Sequence, residues 1–509
     1  MDHYDVIVIG SGAGGGTLTY ALASTGKRIL LLERGDFLPR EKDNWDSAKV
    51  WGDLKYRNAG RWLDQAGKDF TPGQHYYVGG NTKFYGAVLA RFRREDFGEI
   101  VHVDGKSPAW PLTYDVFEPW YSKAEVLYLV HGSRGIDPTE PPASGPYPYP
   151  AMSHEPRIQM LADDLMAIGL HPYPLPMGIM INEANPHLSP CIRCETCDGF
   201  PCLVNAKADA HVIAIEPALR QPNVTLRTNS RVMRLETDPS GRTVSKVIVD
   251  RLGEREEFSA DVVVVSAGAI NSAAILLSSA NDAHPDGLGN SSGVVGRHLM
   301  LHNNSSLIAF SKIPNETRFQ KTLGVNDWYF GSDDWGYPLG HLQMLGKSDT
   351  DTIKANKPDA ENPEELARHS LDFWMTTEDL PMWDNRVQVD DDGRIGLTYE
   401  ISNGEAHARL RAKFQGMLES MRCESEVMEA PLYLGSRKSI AGVSHQNGTV
   451  RFGADAASSA LDPNCKMWDL DNLYVVDSSF FVSSSSVNPT LTIIANALRV
   501  ADHLKTVLR

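Results

Sequence analysis

The chain has 509 residues, a formal net charge of −16 and 42% hydrophobic residues. That length predicts two to four domain-sized units, and the composition excludes a disordered, collagenous or disulfide-stapled chain. The acidic balance speaks against nucleic acid as a partner. No apolar run reaches the ~18 residues of a membrane span, so no direct membrane insertion is expected.

The first strand signal begins at Tyr4, which leaves no room for a secretory leader. The expected location is therefore cytoplasmic, with export beside a partner subunit as the alternative. Residues 4–9 (YDVIVI) read as a buried strand. Gly10-Ser11-Gly12-Ala13-Gly14-Gly15 follows at once, then a helical stretch over 16–26 and a second strand over 28–32 that ends at Glu33. This order is the dinucleotide-binding unit. Gly10 permits the tight turn, Gly12 lets a pyrophosphate approach the backbone, and Gly15 lets helix and strand pack closely. The helix N-terminus offers unpaired N–H groups to phosphate. Glu33 lies 23 residues after Gly10, near the ~20 expected for a ribose-binding acid. The motif by itself does not separate FAD from NAD.

Residues 40–200 are rich in Pro, Trp and Tyr without clean periodicity, as in long connections that cover a site. Strands are expected between 223 and 265, ending in the buried run 261–269, with a helix over 271–280. Residues 298–400 alternate and suggest a separate, mostly antiparallel sheet. An amphipathic helix is expected over 404–422, a strand over 472–477 and a helix over 490–507. Glu378-Asp379-Leu380-Pro381 reads as a solvated turn, with lining of the substrate cavity as the alternative, and Asp390-Asp391-Asp392-Gly393 reads as a hairpin turn. Trp110 and Trp120 are expected to pack.

Four of the six cysteines lie together, at Cys191, Cys194, Cys197 and Cys202. Their spacing approaches the ferredoxin run C-x2-C-x2-C-x3-C-P but is one residue longer before the last Cys, and Pro201 precedes it. An iron–sulfur cluster, a four-thiolate zinc site and a loop of free thiols or one disulfide all remain open.

Several motifs together carry a resemblance. Besides the N-terminal glycines these are Gly79-Gly80-Asn81-Thr82, Trp110-Pro111-Leu112-Thr113-Tyr114, His445-Gln446-Asn447-Gly448-Thr449, Asn472–Asp477 and Asn488-Pro489. The chain resembles the glucose–methanol–choline (GMC) oxidoreductases over nearly its whole length. The resemblance implies an α/β, Rossmann-like FAD-binding domain built from 1–40, 210–300 and 465–509. It also implies a FAD-covering region over 41–209, with the Cys-rich loop 191–202, and a substrate-binding domain over 301–464 on a mostly antiparallel sheet (α+β).

By the same resemblance, Gly10, Gly12, Gly14 and Gly15 hold the FAD pyrophosphate and Glu33 the ribose. Gly79, Gly80, Asn81 and Thr82 run along the flavin, the Val232 backbone meets the adenine, and Asp477 lies near the ribityl chain. Asn488 and Pro489 belong to the flavin site, and His445 and Asn488 form the catalytic pair. The loop 79–86 contains no His, which implies noncovalent FAD. Where the family signature has Ser-Pro, this chain has Ser272-Ala273. Some multisubunit sugar dehydrogenases of the family carry an iron–sulfur cluster in a comparable cysteine-rich stretch.

The expected activity is oxidation of a CH–OH group of a sugar or other alcohol. His445 is the base, since neutral imidazole with a pKa near 6.5 suits proton abstraction at neutral pH. Asn488 anchors the substrate oxygen, and flavin N5 takes the hydride. Electrons pass to an external acceptor protein or quinone; an O2-using oxidase and a redox-neutral lyase are the alternatives.

Overall fold

A computed structural model describes residues 1–57, 60–420, 434–437 and 444–508. The isolated Cys423 and the expected helix end at 421–422 lie outside the described residues.

The N-terminal strand runs Asp2–Ile9 and pairs in parallel with Ile29–Leu32 on one side and Glu254–Val265 on the other. Val224–Arg227 closes one edge beside Ile29–Leu32. Glu254–Val265 is long enough to take two partners along its other edge. Its first half pairs antiparallel with Val244–Arg251, itself paired with Ser230–Thr237. Its second half pairs in parallel with Leu473–Val475 from the far end of the chain. The sheet therefore assembles from three separated stretches, and its central parallel strands are continuous apolar runs because both faces are covered. Val6, Ile7, Val8, Leu30, Leu31, Val263 and Val264 have no exposed surface. Each such side chain contributes roughly 1.5–3 kcal/mol of burial. Helices Ala13–Ala23 and Thr490–Val507 pack on this sheet.

A second sheet is antiparallel throughout, in the order Leu434–Arg437, Asn303–Phe310, Ser370–Thr377, His341–Met344, Leu323–Val325, Tyr173–Pro174. Its faces separate with a period of two. Leu307, Ala309, Phe373, Met375, Leu342 and Met344 point toward helix Gly404–Ser420 and share a core with Leu410 and Phe414. Phe373 and Phe414 meet edge to face, with centroids 4.8 Å apart. The alternate residues face the large cavity described below.

The stretch 41–209 does not stand apart from these units. It supplies Tyr173–Pro174 to the second sheet and Trp62–Leu63 to a small sheet with Ile395–Thr398. Its helix Tyr114–Leu127 docks on the C-terminal helix through a Tyr121–Thr492 hydroxyl pair at 2.7 Å. Trp110 is buried among Phe97, Phe117, Phe452, Phe480 and Phe481. Asp390–Arg394 forms the expected hairpin turn. The Glu378–Asp379 pair departs from expectation. Both carboxylates are buried, at 3% and 0% exposure, because seryl and tyrosyl hydroxyls and backbone amides satisfy them. Among the described residues no helix is long and apolar enough to cross a membrane.

Candidate active site

A cavity of ≈ 920 Å³ opens between the two sheets. At its first end stand Gly10, Gly12 and Gly14. Gly10 has φ +101°, and a Cβ there would lie 2.3 Å from the Ser266 carbonyl oxygen. A Cβ on Gly14 would come 1.9 Å from the Val476 carbonyl oxygen, and one on Gly15 2.0 Å from that of Gly10. These glycines pack the helix onto both halves of the sheet. Gly12 differs: a Cβ there meets nothing within 4 Å, because the position faces the cavity. Helix Ala13–Ala23 starts at Gly12 with neither a side-chain cap nor an acid in its first turn. Its first N–H groups are therefore available to an anion.

Glu33 is buried, and its carboxylate is held from below. Oε2 accepts from the Ser11 N–H at 3.1 Å and the Ser11 hydroxyl at 2.5 Å, and Oε1 accepts from the Gly35 N–H at 2.9 Å. Burial raises its pKa, and these hydrogen bonds oppose the rise. The Ser11 hydroxyl also accepts the Gly79 N–H at 3.1 Å. One serine inside the glycine motif thus joins the phosphate turn, the acid and the loop 79–82. Sequence reasoning passed over it because its position in the motif tolerates any residue.

Gly80, Asn81 and Thr82 line the cavity. A Cβ on Gly80 would lie 3.1 Å from the Gly12 Cα, so the two loops nearly touch. Thr82 donates to the Gly79 carbonyl at 2.5 Å and accepts from the Ala210 N–H at 3.0 Å. Val232 lines the cavity beside a bulge between Val232 and Arg234, where the ladder is broken. Asp477 accepts from the Gly268 N–H at 2.9 Å, the Ser272 hydroxyl at 2.5 Å and the Ser479 N–H at 2.8 Å. Ser272 also accepts the Ala267 N–H at 3.0 Å, so it fixes this wall without the family's proline. His75 lines the cavity too, but its ring stacks on Phe84 at 3.7 Å and its Nδ1 meets the Tyr56 carbonyl.

His445, Asn488 and Pro489 lie on the wall between the glycine end and the second sheet. The Asn488 Oδ1 is buried and has no hydrogen-bond partner among the described residues. His445 has a partner that the motif reading missed. Its Nδ1 lies 3.0 Å from Nδ1 of His302, and His302 Nε2 lies 3.0 Å from the Ser484 carbonyl oxygen. A carbonyl only accepts, so His302 carries its proton on Nε2. Its Nδ1 therefore accepts, and His445 must donate from Nδ1. That leaves His445 Nε2 as the unprotonated nitrogen of a ring on the cavity wall. Burial, then the neighbouring His302, holds the His445 pKa well below the usual imidazole value. The Ser484 carbonyl is itself held. The Ser484 hydroxyl accepts from the Asp379 N–H at 3.3 Å and donates to the Asp379 carbonyl at 3.0 Å, and the Ser485 N–H donates to the Glu378 carboxylate at 3.2 Å. The buried acid pair thus anchors the loop that orients both histidines. His302 stands one residue before strand Asn303–Phe310, with no motif to distinguish it from the protein's other histidines.

The cysteine loop borders the same cavity through Glu195, Asp198, Gly199 and Phe200, while its cysteines line a separate pocket. Cys191, Cys194, Cys197 and Cys202 line one small apolar pocket of ≈ 20 Å³ with Ile179, Phe319 and Lys207. All four are free thiols. Burial pushes Cys191 up to about 11 and Cys197 up to about 12. Lys207 donates to the carbonyls of Tyr85, Cys197 and Phe200 and ties the loop down. Among the described residues no three His, Cys, Asp or Glu side chains are gathered so as to hold a metal ion. The thiols as placed do not form a ligand set for iron or zinc.

A glycine turn at an open helix N-terminus, a buried acid after the second strand and a hydrogen-bonded histidine pair around one cavity are the features of a dinucleotide-dependent oxidoreductase. Comparison with known proteins carries this further. Two family models described as GMC oxidoreductase match residues 176–304 and 405–497. The chain is 31% identical to 6'''-hydroxyparomomycin C oxidase of Streptomyces lividus, over 98% of this chain and 92% of that protein. It is 28% identical to 2-methyl-1,2-propanediol dehydrogenase of Mycolicibacterium austroafricanum, over 99% and 95%. Its fold matches pyridoxine 4-oxidase of Mesorbium loti with a TM-score of 0.66 at 20% identity, covering 98% of each chain. The protein is a FAD-dependent oxidoreductase of alcohol groups, and it belongs to the GMC oxidoreductase family.

The residues present suit FAD. The open face of Gly12, the uncapped helix start and Glu33 would hold the pyrophosphate and ribose. The loop 79–82, Asp477 and Pro489 would border the isoalloxazine half.

Proposed function

We propose that this chain oxidises the CH–OH group of a sugar or other polar alcohol, with His445 as the base. The observation that carries this reading is the His302–His445 hydrogen bond, which leaves His445 Nε2 basic on the cavity wall. His445 Nε2 takes the proton from the substrate hydroxyl. The imidazolium that results still donates from Nδ1 to His302, so the base is charged without losing its anchor. Asn488 holds the reacting oxygen from the other side by donating from its side-chain amide NH2, since the proton of that oxygen goes to His445. FAD, when bound, supplies the acceptor for the hydride. Electrons then pass to an external acceptor, protein or quinone; O2 is the alternative acceptor. The experiment is anaerobic mixing of purified holoenzyme with a panel of alcohols and sugars. Substrate-dependent bleaching of the flavin supports the reading, and product formation without bleaching would point instead to a redox-neutral lyase.

Two expectations follow for the holoenzyme. FAD is held noncovalently, because the 79–86 loop offers no His and His75 is engaged by Phe84 and Tyr56. Acid precipitation should leave the yellow chromophore in the supernatant, and a yellow pellet would refute this. The second concerns pH. A base whose pKa lies below the ordinary value stays neutral to lower pH. Flavin reduction should therefore be flat above pH 6.5, with its acid limb lying below that value. An acid limb centred above pH 7 in the rate of bleaching would contradict the lowered pKa of His445.

A further inference from the structure

We infer that Gln343 presents its amide oxygen to the cavity and selects substrates that carry a second hydrogen-bond donor, a hydroxyl or an ammonium, beside the reacting carbinol. This rests on the alcohol-oxidising reading of the same cavity. The argument begins in the register of the second sheet. Ser306, Trp374 and Gln343 stand directly opposite one another on three neighbouring strands. All three line the cavity, as do Asn304 and Asp372 on the same face.

The orientation of Gln343 is set from behind. His341 is fully buried; its Nδ1 lies 2.8 Å from Asn326 Oδ1 and its Nε2 lies 3.1 Å from the atom placed as Gln343 Oε1. Two amide oxygens would require protons on both ring nitrogens. Burial, however, lowers the His341 pKa to about 4, so the ring is neutral and carries one proton. Asn326 cannot turn over, because its Nδ2 donates to Asp137 at 2.7 Å and to the Tyr173 hydroxyl at 3.0 Å. Asp137 in turn is paired with Arg93. The proton of His341 therefore sits on Nδ1 and its Nε2 accepts. The Gln343 atom facing it must be the NH2 group, which is the amide rotated by 180°. The carbonyl oxygen then points the other way and has no partner among the described residues.

Asn304 follows the same pattern. Its Nδ2 is committed to the His302 carbonyl at 2.8 Å, and its Oδ1 has only the long 3.3 Å contact from Thr376. Two amide oxygens on one sheet face form a wall of acceptors, and the Asp372 carboxylate in the next row is already occupied by donors from Gln320, Ser348 and Ser370. Beside the Trp374 indole, that wall suits a polyol or an amino alcohol better than a plain aliphatic alcohol.

Two measurements test this. In holoenzyme labelled with 15N-histidine, His341, assigned by its loss in His341→Phe, should show the Nδ1–H tautomer. The Nε2–H tautomer would overturn the orientation. Anaerobic flavin reduction is then compared for propane-1,3-diol, 3-aminopropan-1-ol and 1-propanol. Gln343→Met, similar in shape but without the acceptor, should lower the rate ratio of each donor-bearing alcohol to 1-propanol by about tenfold, the worth of one buried hydrogen bond. An equal fall for all three alcohols would make Gln343 structural only and refute the selection. Absence of bleaching by any alcohol counts against the alcohol-oxidising reading and refutes the selection with it. The tautomer measurement separately decides the orientation.

Discussion

His445→Ala should leave FAD bound while slowing flavin reduction by about 10²–10⁴-fold, the usual worth of a positioned general base. The pyrophosphate turn, Glu33 and the 79–82 loop make no hydrogen bond to the imidazole, so cofactor affinity should be nearly unchanged. The substitution also strands His302 Nδ1, which accepts from His445 in the native chain. Part of the loss therefore reflects a disturbed anchor rather than the missing base. His302→Ala separates the two. It keeps the base but frees its tautomer, so reduction should slow less and the pH profile should move. Stopped-flow bleaching on the best alcohol of the panel measures both. Full activity in His445→Ala would remove this residue from the mechanism.

Glu33→Gln should weaken FAD binding roughly 10- to 150-fold, since hydrogen bonds to a charged group contribute about 1.5–3 kcal/mol. The structure gives a second reason. Both carboxylate oxygens already accept, from Ser11 and from Gly35. An amide puts an NH2 group against one of those donors and loosens the turn as well as the ribose contact. Titrating apoprotein with FAD by flavin fluorescence reads the dissociation constant. Saturated enzyme should lose little in the rate of bleaching, and an unchanged dissociation constant would show that Glu33 is not the ribose acid.

What was legible in the sequence follows distance along the chain. The strand–glycine–helix–strand–acid unit could be read because its parts are adjacent and each glycine answers a local steric demand, although the helix begins at Ala13 rather than at 16. The period-two pattern of 303–310 and 370–377 likewise reported one apolar and one polar face. The motifs at His445 and Asn488 pointed to the chemistry through resemblance, not through any local physical signal.

Tertiary structure decided the rest. Glu378 and Asp379 read as a solvated turn, because an acidic pair before proline carries no mark of the hydroxyls and amides that come from 107, 402 and 485 to receive it. The four cysteines, evenly spaced in sequence, share a pocket without forming a ligand set, since spacing does not dictate where sulfur atoms point. By itself the sequence determined the cofactor-binding unit and the two kinds of sheet, and resemblance singled out His445 as the proposed base. Only the fold could decide the base's protonation, because the hydrogen bonds that place its proton join residues 302, 445 and 484, which are remote in the chain and meet only when both sheets have closed around the cavity.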